Sequence, residues 1–336
     1  MLWLYILIAV VSSVVVWKGS DMLENSARKL SAYYKLPAAV HGAVVLAIGS
    51  SFPELSSAVL ATLLHGEFEL GLSTIIGSAI FNILVIPGIA ALVARRRLKS
   101  DKLMVYKDAQ FYMVSVAVLL IAFSLAVIYN PVESEDIVGE LKPWMAAIPI
   151  ALYFLYIFMQ QQEVREEKPS EEVGNVKIWR SWLLLLLSLV LVVGSVEGLV
   201  RSAIFFGDEF DIPSFFWGIT MISIVTSLPD AFVSVRLAKK SEDVASLSNI
   251  LGSNIFDLLV AIPLGVIIAG GADINFSVAI PLMGMLTLAT IILFTTLRTS
   301  LELSRREALI LLLTYVLIIL WIVAENFNWI DLLPAI

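Results

Sequence analysis

The sequence predicts an all-α membrane protein of ten transmembrane helices, arranged as two inverted five-helix repeats. Three observations predict it: the density of apolar residues, the alternation of lysine and arginine between successive gaps, and a pair of polar motifs repeated about 175 residues apart. Of the 336 residues, 59% are apolar and 15% charged, against about 45–50% and about 25% in a soluble domain. The mean hydropathy is +0.92.

Ten apolar segments follow one another, many near the ~20 residues that a spanning helix needs. They run roughly over 2–18, 38–64, 70–94, 109–129, 143–160, 181–200, 213–238, 244–268, 276–297 and 305–325. The first lacks a basic start and continues into an amphipathic tail, KGSDMLENSARKL, rather than a small-residue cleavage site, so it reads as a span and not as a signal peptide. Of the 22 basic residues, 20 fall in the gaps after segments 1, 3, 5, 7 and 9; only Lys142 and Arg201 fall elsewhere. The positive-inside rule makes those odd gaps cytoplasmic and puts both termini outside, with the cell (plasma) membrane as the expected location. The even gaps are acidic, with Glu67, Glu69, Glu133, Glu135, Asp136, Glu140, Asp208, Glu209 and Asp211. These read as solvated loops, with weak cation enrichment at an outer mouth as the functional alternative.

The polar stretch QQQEVREEKPSEEVGNVKIWR is charged and poor in apolar residues, the composition of a mobile linker. It divides a first repeat at 1–161 from a second at 181–336, with 162–180 as the cytoplasmic linker. There is no cysteine, which excludes disulfides and thiolate metal sites. His41 and His65 are too few for a histidine zinc site and read as helix-end or loop residues.

The halves resemble each other. LSTIIGSAIFNIL (72–84) aligns without a gap on LSNILGSNIFDLL (247–259), an offset of 175. KGS (18–20) meets VGS (193–195) at the same offset, and Glu54 meets Asp230 at 176. Five spans is an odd number, so the second half enters the membrane from the opposite side. Inverted repeats of this kind place transporter sites near the midplane at the repeat interface. Close packing of small residues would explain the glycines, but not carboxylates at matched positions.

Four polar clusters mark the centres of segments 2, 3, 7 and 8: Ser50, Ser51 and Glu54; Ser78 and Asn82; Thr226, Ser227 and Asp230; Ser253 and Asp257. At spacings of three and four, each cluster shares one helical face. Pro53 and Pro229 precede two of the acids. A proline strips carbonyl oxygens of their partner one turn back, and Ala47, Ser223 and their neighbours become candidate carbonyl donors to an ion. Such freed groups are tolerated beside neighbouring helices or a water-filled cavity. No basic residue lies near the middle of any span, and a charge at the bilayer centre costs roughly 2.5–3.5 kcal/mol on insertion scales. The expected compensation is a bound cation or a proton. The donors are all oxygens, a set for hard cations such as Ca2+, which takes 6–8 oxygens, and for Na+; zinc and copper are disfavoured. One Ca2+ would neutralise two of the three carboxylates, and monovalent ions in overlapping positions would do the same. Two such states exclude each other, as antiport requires.

AIGSSFPEL with GSAIFNIL, and VTSLPDAF with GSNIFDLL followed by Pro263, resemble the two α-repeats of the cation/calcium exchanger superfamily over nearly the whole chain. The motifs look most like the potassium-dependent sodium/calcium exchanger branch. The resemblance implies the sodium/calcium exchanger fold, Ca2+ and Na+ as transported ions with K+ left open, no enzymatic activity and no resident cofactor. It implies Glu54 and Asp230 as central calcium ligands. Ser51, Ser78, Ser227 and Ser253 match sodium-coordinating hydroxyls, with the Ala47 carbonyl beside them, and Ser50 and Thr226 stand next in each cluster. Asn82 and Asp257 match the partners one turn further, Asp257 at the position linked to potassium. Val225 stands where the family usually has glycine, and Asp230 reaches less far than glutamate.

The expected function is exchange of Ca2+ for Na+ across the lipid bilayer by alternating access. The alternative on the same fold is proton-coupled exchange of Ca2+ or another divalent cation, although the Gly-Asn-x-x-Glu signature of proton-driven exchangers is not found. An intramembrane aspartyl protease using Asp230 and Asp257 would lack the Gly-x-Gly-Asp motif and leave Glu54 unexplained. A passive channel needs no matched inverted carboxylates. No nucleic-acid or protein partner is implied.

Overall fold

The computed structural model describes residues 1–34, 47–94, 96–102, 104–133, 137–163, 178–327 and 329. His41, Glu135, Asp136, the start of the second predicted segment and most of the 162–180 linker lie outside the described residues. Ten long helices follow in order: α1 Leu2–Tyr33, α2 Ala47–His65, α3 Phe68–Ala94, α4 Ala109–Tyr129, α5 Pro143–Glu163, α6 Ile178–Phe210, α7 Ser214–Lys239, α8 Asp243–Ala269, α9 Phe276–Ser300 and α10 Arg305–Asn326. Nine of them are, among the described residues, long and apolar enough to cross a membrane. The tenth is α2, described over 19 residues and carrying Glu54. The chain is an integral, multi-pass, all-α membrane protein. Its helices form two inverted sets of five.

Two helices run well beyond their apolar segments. α1 extends from the predicted end at 18 to Tyr33, and α6 from 200 to Phe210. The tail of α1 buries Gly19, Ser20, Leu23, Ser26, Ala27, Leu30 and Ser31, a stripe at spacings of three and four. Its polar residues occupy the other faces, so the hydropathy falls while the helix continues. The stripe lies along α6, with which α1 makes its largest helix contact. A Cβ on Gly19 would sit 2.9 Å from Val192 Cγ2, so glycine is what lets these two helices approach there.

α3 is the central helix: 22 of its 27 residues are buried, against α2, α7, α9 and α10. A helix that is apolar all round belongs in an interior. By contrast α1, α6 and α10 expose Leu4, Leu7, Val190, Leu309, Leu313 and Leu320. Apolar surface on this scale needs lipid against it.

Among the described residues, four short strands lie in the connections. β1 (Leu98–Lys99) pairs antiparallel with β4 (Glu302–Leu303), and β2 (Val138–Leu141) with β3 (Ala272–Asn275). β1 and β4 follow α3 and α9, on the face of the basic gaps; β2 and β3 follow α4 and α8, on the acidic face. Both pairings keep to the alternation of odd and even gaps. The repeat also relates them, since it turns the connections after α3 and α9 into those after α8 and α4. Strands of two to four residues carry no periodicity of their own, which is why hydropathy gives no sign of them.

Turn chemistry ends the helices where the sequence allows it. Gly66 (φ +69) and Gly270 (φ +83) stop α2 and α8 in the left-handed region. Ser304 and Glu307 form a reciprocal capping box at the start of α10. At the basic face Arg96 closes the two halves together: its guanidinium binds both Asp243 carboxylate oxygens and donates to Ala238 O at 3.0 Å. The Lys99 N–H donates to the same carboxylate at 3.0 Å.

Candidate ion site between the repeats

The four predicted clusters meet. α2 and α3 bring Ser50, Ser51, Glu54, Ser78 and Asn82; α7 and α8 bring Thr226, Ser227, Asp230, Ser253 and Asp257. All ten are buried, and Glu54, Asp230 and Asp257 are at most 1% exposed.

Hydroxyl contacts stitch the repeats to one another. Ser78 Oγ lies 2.7 Å from Ser227 Oγ and donates to Glu54 Oε1 at 3.1 Å. Ser51 Oγ donates to Ser253 Oγ at 3.0 Å, and Ser50 Oγ is also 3.0 Å from Ser253 Oγ. The offsets of 175 and 176 exchange Ser78 with Ser253 and Ser51 with Ser227. The inter-repeat serine contact is therefore made twice, once on each side of the site. Thr226 Oγ1 donates to Ser223 O at 3.3 Å and lies beside the Glu54 carboxylate.

The two halves differ one turn further along. Asn82 Nδ2 donates to Asp230 Oδ2 at 3.2 Å. Its repeat counterpart is Asp257, and neither Asp257 oxygen has a hydrogen-bond partner. Glu54 Oε2, Asp230 Oδ1 and Asn82 Oδ1 are also buried and unpartnered. No described ion pair includes any of these carboxylates. Five buried acceptor oxygens without donors is an arrangement that costs free energy unless something positive occupies it. Among the described residues no three acidic or histidine side chains converge closely enough to hold one ion together.

α2 and α7 run helically through Pro53 and Pro229. The missing N–H groups fall opposite the carbonyls of Gly49 and Val225; Ala47 opens the described part of α2, two residues earlier. In the second repeat the helices also carry π turns, Gly218–Ile222 before Ser223 and Asp257–Ala261 beginning at the carboxylate itself. Such turns concentrate at functional sites because they leave backbone groups out of the regular ladder. Close packing makes room for the arrangement: a Cβ on Gly77, next to Ser78, would meet the backbone of Ile219 at 2.9 Å.

Sequence reasoning missed Asn254. It accepts from Asn82 Nδ2 at 3.0 Å and donates to Ala79 O at 3.1 Å, with the Tyr112 hydroxyl at 3.4 Å. It braces the amide that holds Asp230. The available signal was in the repeat alignment, where Asn254 stands opposite Ala79, a polar side chain without a polar counterpart.

A family model described as Sodium/calcium exchanger protein matches residues 4–161 and 180–324. The chain belongs to the sodium/calcium exchanger family. Among the relatives of this exchanger is the sodium/calcium exchanger MaX1 of Methanosarcina acetivorans, 25% identical over 343 residues, covering 92% of this chain and 96% of that protein. The fold is that of the crystal structure of an H+/Ca2+ exchanger, CAX, with a TM-score of 0.74 at 16% identity over 96% of this chain and 88% of that one. The sodium-calcium exchanger NCX_Mj, in a crystal soaked with Na+ and Sr2+, has a TM-score of 0.62 at 22% identity over 95% of this chain and 99% of that one. Exchangers of this family are membrane transporters, and the ions they move are substrates.

Proposed function

We propose that this exchanger moves Ca2+ in one direction and Na+ in the other by alternating access. One observation carries the reading: five buried carboxylate and amide oxygens lack donors at the interface of two inverted repeats, in a membrane that supplies no water. Glu54 and Asp230 act as the calcium ligands, completed by Ser51, Ser78, Ser227, Ser253, Ser50 and Thr226 and by carbonyls near Ala47. Asp257, with both oxygens unpartnered, takes a monovalent cation, and K+ is the candidate beside Na+. No covalent chemistry is involved. The repeats correspond to 1–161 and 181–336. The basic face is cytoplasmic, both termini lie outside, and the host membrane is the plasma membrane.

The same unpartnered oxygens would accept protons, so proton-coupled exchange of Ca2+ or another divalent cation is the second reading. Uptake of radiolabelled Ca2+ into proteoliposomes separates the two. Loaded Na+ drives uptake under the first reading; an acid interior drives it without Na+ under the second.

A further inference from the structure

A cavity of about 390 Å3 opens between α1 and α7, lined by Lys18, Asp21 and Glu24 on one side and Pro229, Phe232 and Arg236 on the other. Arg236 lies six residues beyond Asp230, about 9 Å along the helix. Four ionisable side chains, Lys18, Asp21, Glu24 and Arg236, line the cavity, a wall that suits water and ions rather than lipid. Its wall residue Pro229 directly precedes Asp230 in α7, whose Oδ1 is buried and unpartnered.

Glu24 stands on the α1 side of the cavity, towards the basic face from Trp17, which stacks on Phe232. Its side chain is 14% exposed and paired with Arg28 at 2.7 Å, whose own side chain is 47% exposed. Its Cα is 3.7 Å from the place a Cβ on Gly49 would take, so it lies against α2 one residue from Ser50. The inverted repeat turns the α1–α7 contact into that between α6 and α2 on the acidic face. There the helices are bridged instead, by His65 Nε2 to Glu197 Oε1 at 3.1 Å, with Arg201 on the same carboxylate at 2.6 Å.

We infer that Glu24 is the access-path carboxylate of this exchanger: cations pass between the basic face and the buried site through the α1–α7 cavity and dock on Glu24. Arg28, one turn away, is its tethered counter-ion when no cation is there. The inference rests on the cation-exchange reading above but can fail separately from it.

The chain has no cysteine, so Val233→Cys, on the cavity wall, would carry its single thiol. Its modification by cationic and anionic membrane-impermeant methanethiosulfonates is measured from each face of reconstituted vesicles. Reaction is expected from the basic face, with the cationic reagent favoured. Glu24→Gln should cut the cationic-to-anionic rate ratio several-fold. In Ca2+ flux, Glu24→Gln should raise the half-saturating concentration several-fold at the basic face alone, with the maximal rate kept. Glu24→Asp should restore most of it, and Arg28→Gln should lower it. A thiol unreactive from the basic face, a ratio unmoved by Glu24→Gln, or an equal change at both faces would overturn the inference. The thiol readout needs no transport, so wild-type protein that moves no Ca2+ would count against the proposed function and leave this test intact.

Discussion

The Ser78 hydroxyl of α3 lies 2.7 Å from the Ser227 hydroxyl of α7, and the repeat turns this pair into Ser253 and Ser51, 3.0 Å apart. Each contact joins one half of the chain to the other beside a buried carboxylate. The site is thus built twice from the same parts, and its polarity comes from the places where the copies differ: Glu54 against Asp230, Asn82 against Asp257, Ala79 against Asn254.

Neutralising either central acid should remove calcium transport. Glu54→Gln and Asp230→Asn keep size and shape but delete the charge, and Ca2+ flux is expected to fall to the level of protein-free vesicles. Flux is measured beside size-exclusion and thermal-melting controls. Full activity in both variants would remove these residues from the site.

Asp257→Asn should alter which monovalent ions matter. Its oxygens are buried and have no internal donor, so the uncharged amide needs no counter-ion. Transport measured with and without K+ should lose any potassium dependence or slow markedly. An unchanged rate and unchanged ion dependence would place Asp257 outside the mechanism.

Asn254→Leu should act through Asn82. It leaves Ala79 O without its donor and frees the amide that holds Asp230. Loss of buried hydrogen bonds of this kind costs about 1–3 kcal/mol, seen as a lower melting temperature. The half-saturating Ca2+ concentration should rise as well. A lower melting temperature with unchanged calcium dependence would make Asn254 a structural residue only.

Arg96→Gln should weaken the junction of the halves at the basic face. Asp243 is 5% exposed and Arg96 35%, so the carboxylate is left largely desolvated without its guanidinium. The partial exposure of Arg96 tempers the cost to about 1–3 kcal/mol. Thermal melting in detergent checks it, and Asp243→Asn in the same background should recover part of the loss.

Much of this was legible in the sequence because it is local or periodic. The ten spans follow from runs of apolar residues, and the basic gaps report their alternation. The clusters around Glu54, Asn82, Asp230 and Asp257 follow from spacings of three and four. The tails of α1 and α6 were not legible by hydropathy, since a helix buried along one stripe looks polar in a window average. Asn254, His65 with Glu197, and Arg96 with Asp243 act across 172, 132 and 147 residues of chain. Nothing in the neighbourhood of any one of them announces its partner. The short strands depend on two connections meeting, which only the packed helices bring about.

Coupling of calcium movement to sodium is the central claim, and one measurement addresses it directly. Purified protein is reconstituted into vesicles loaded with Na+ and diluted into Na+-free medium containing radiolabelled Ca2+, at equal pH on both sides. Uptake that requires the outward Na+ gradient, and that Glu54→Gln abolishes, is the expected result. Folded protein that takes up Ca2+ only when the interior is acid, and ignores Na+, would contradict it.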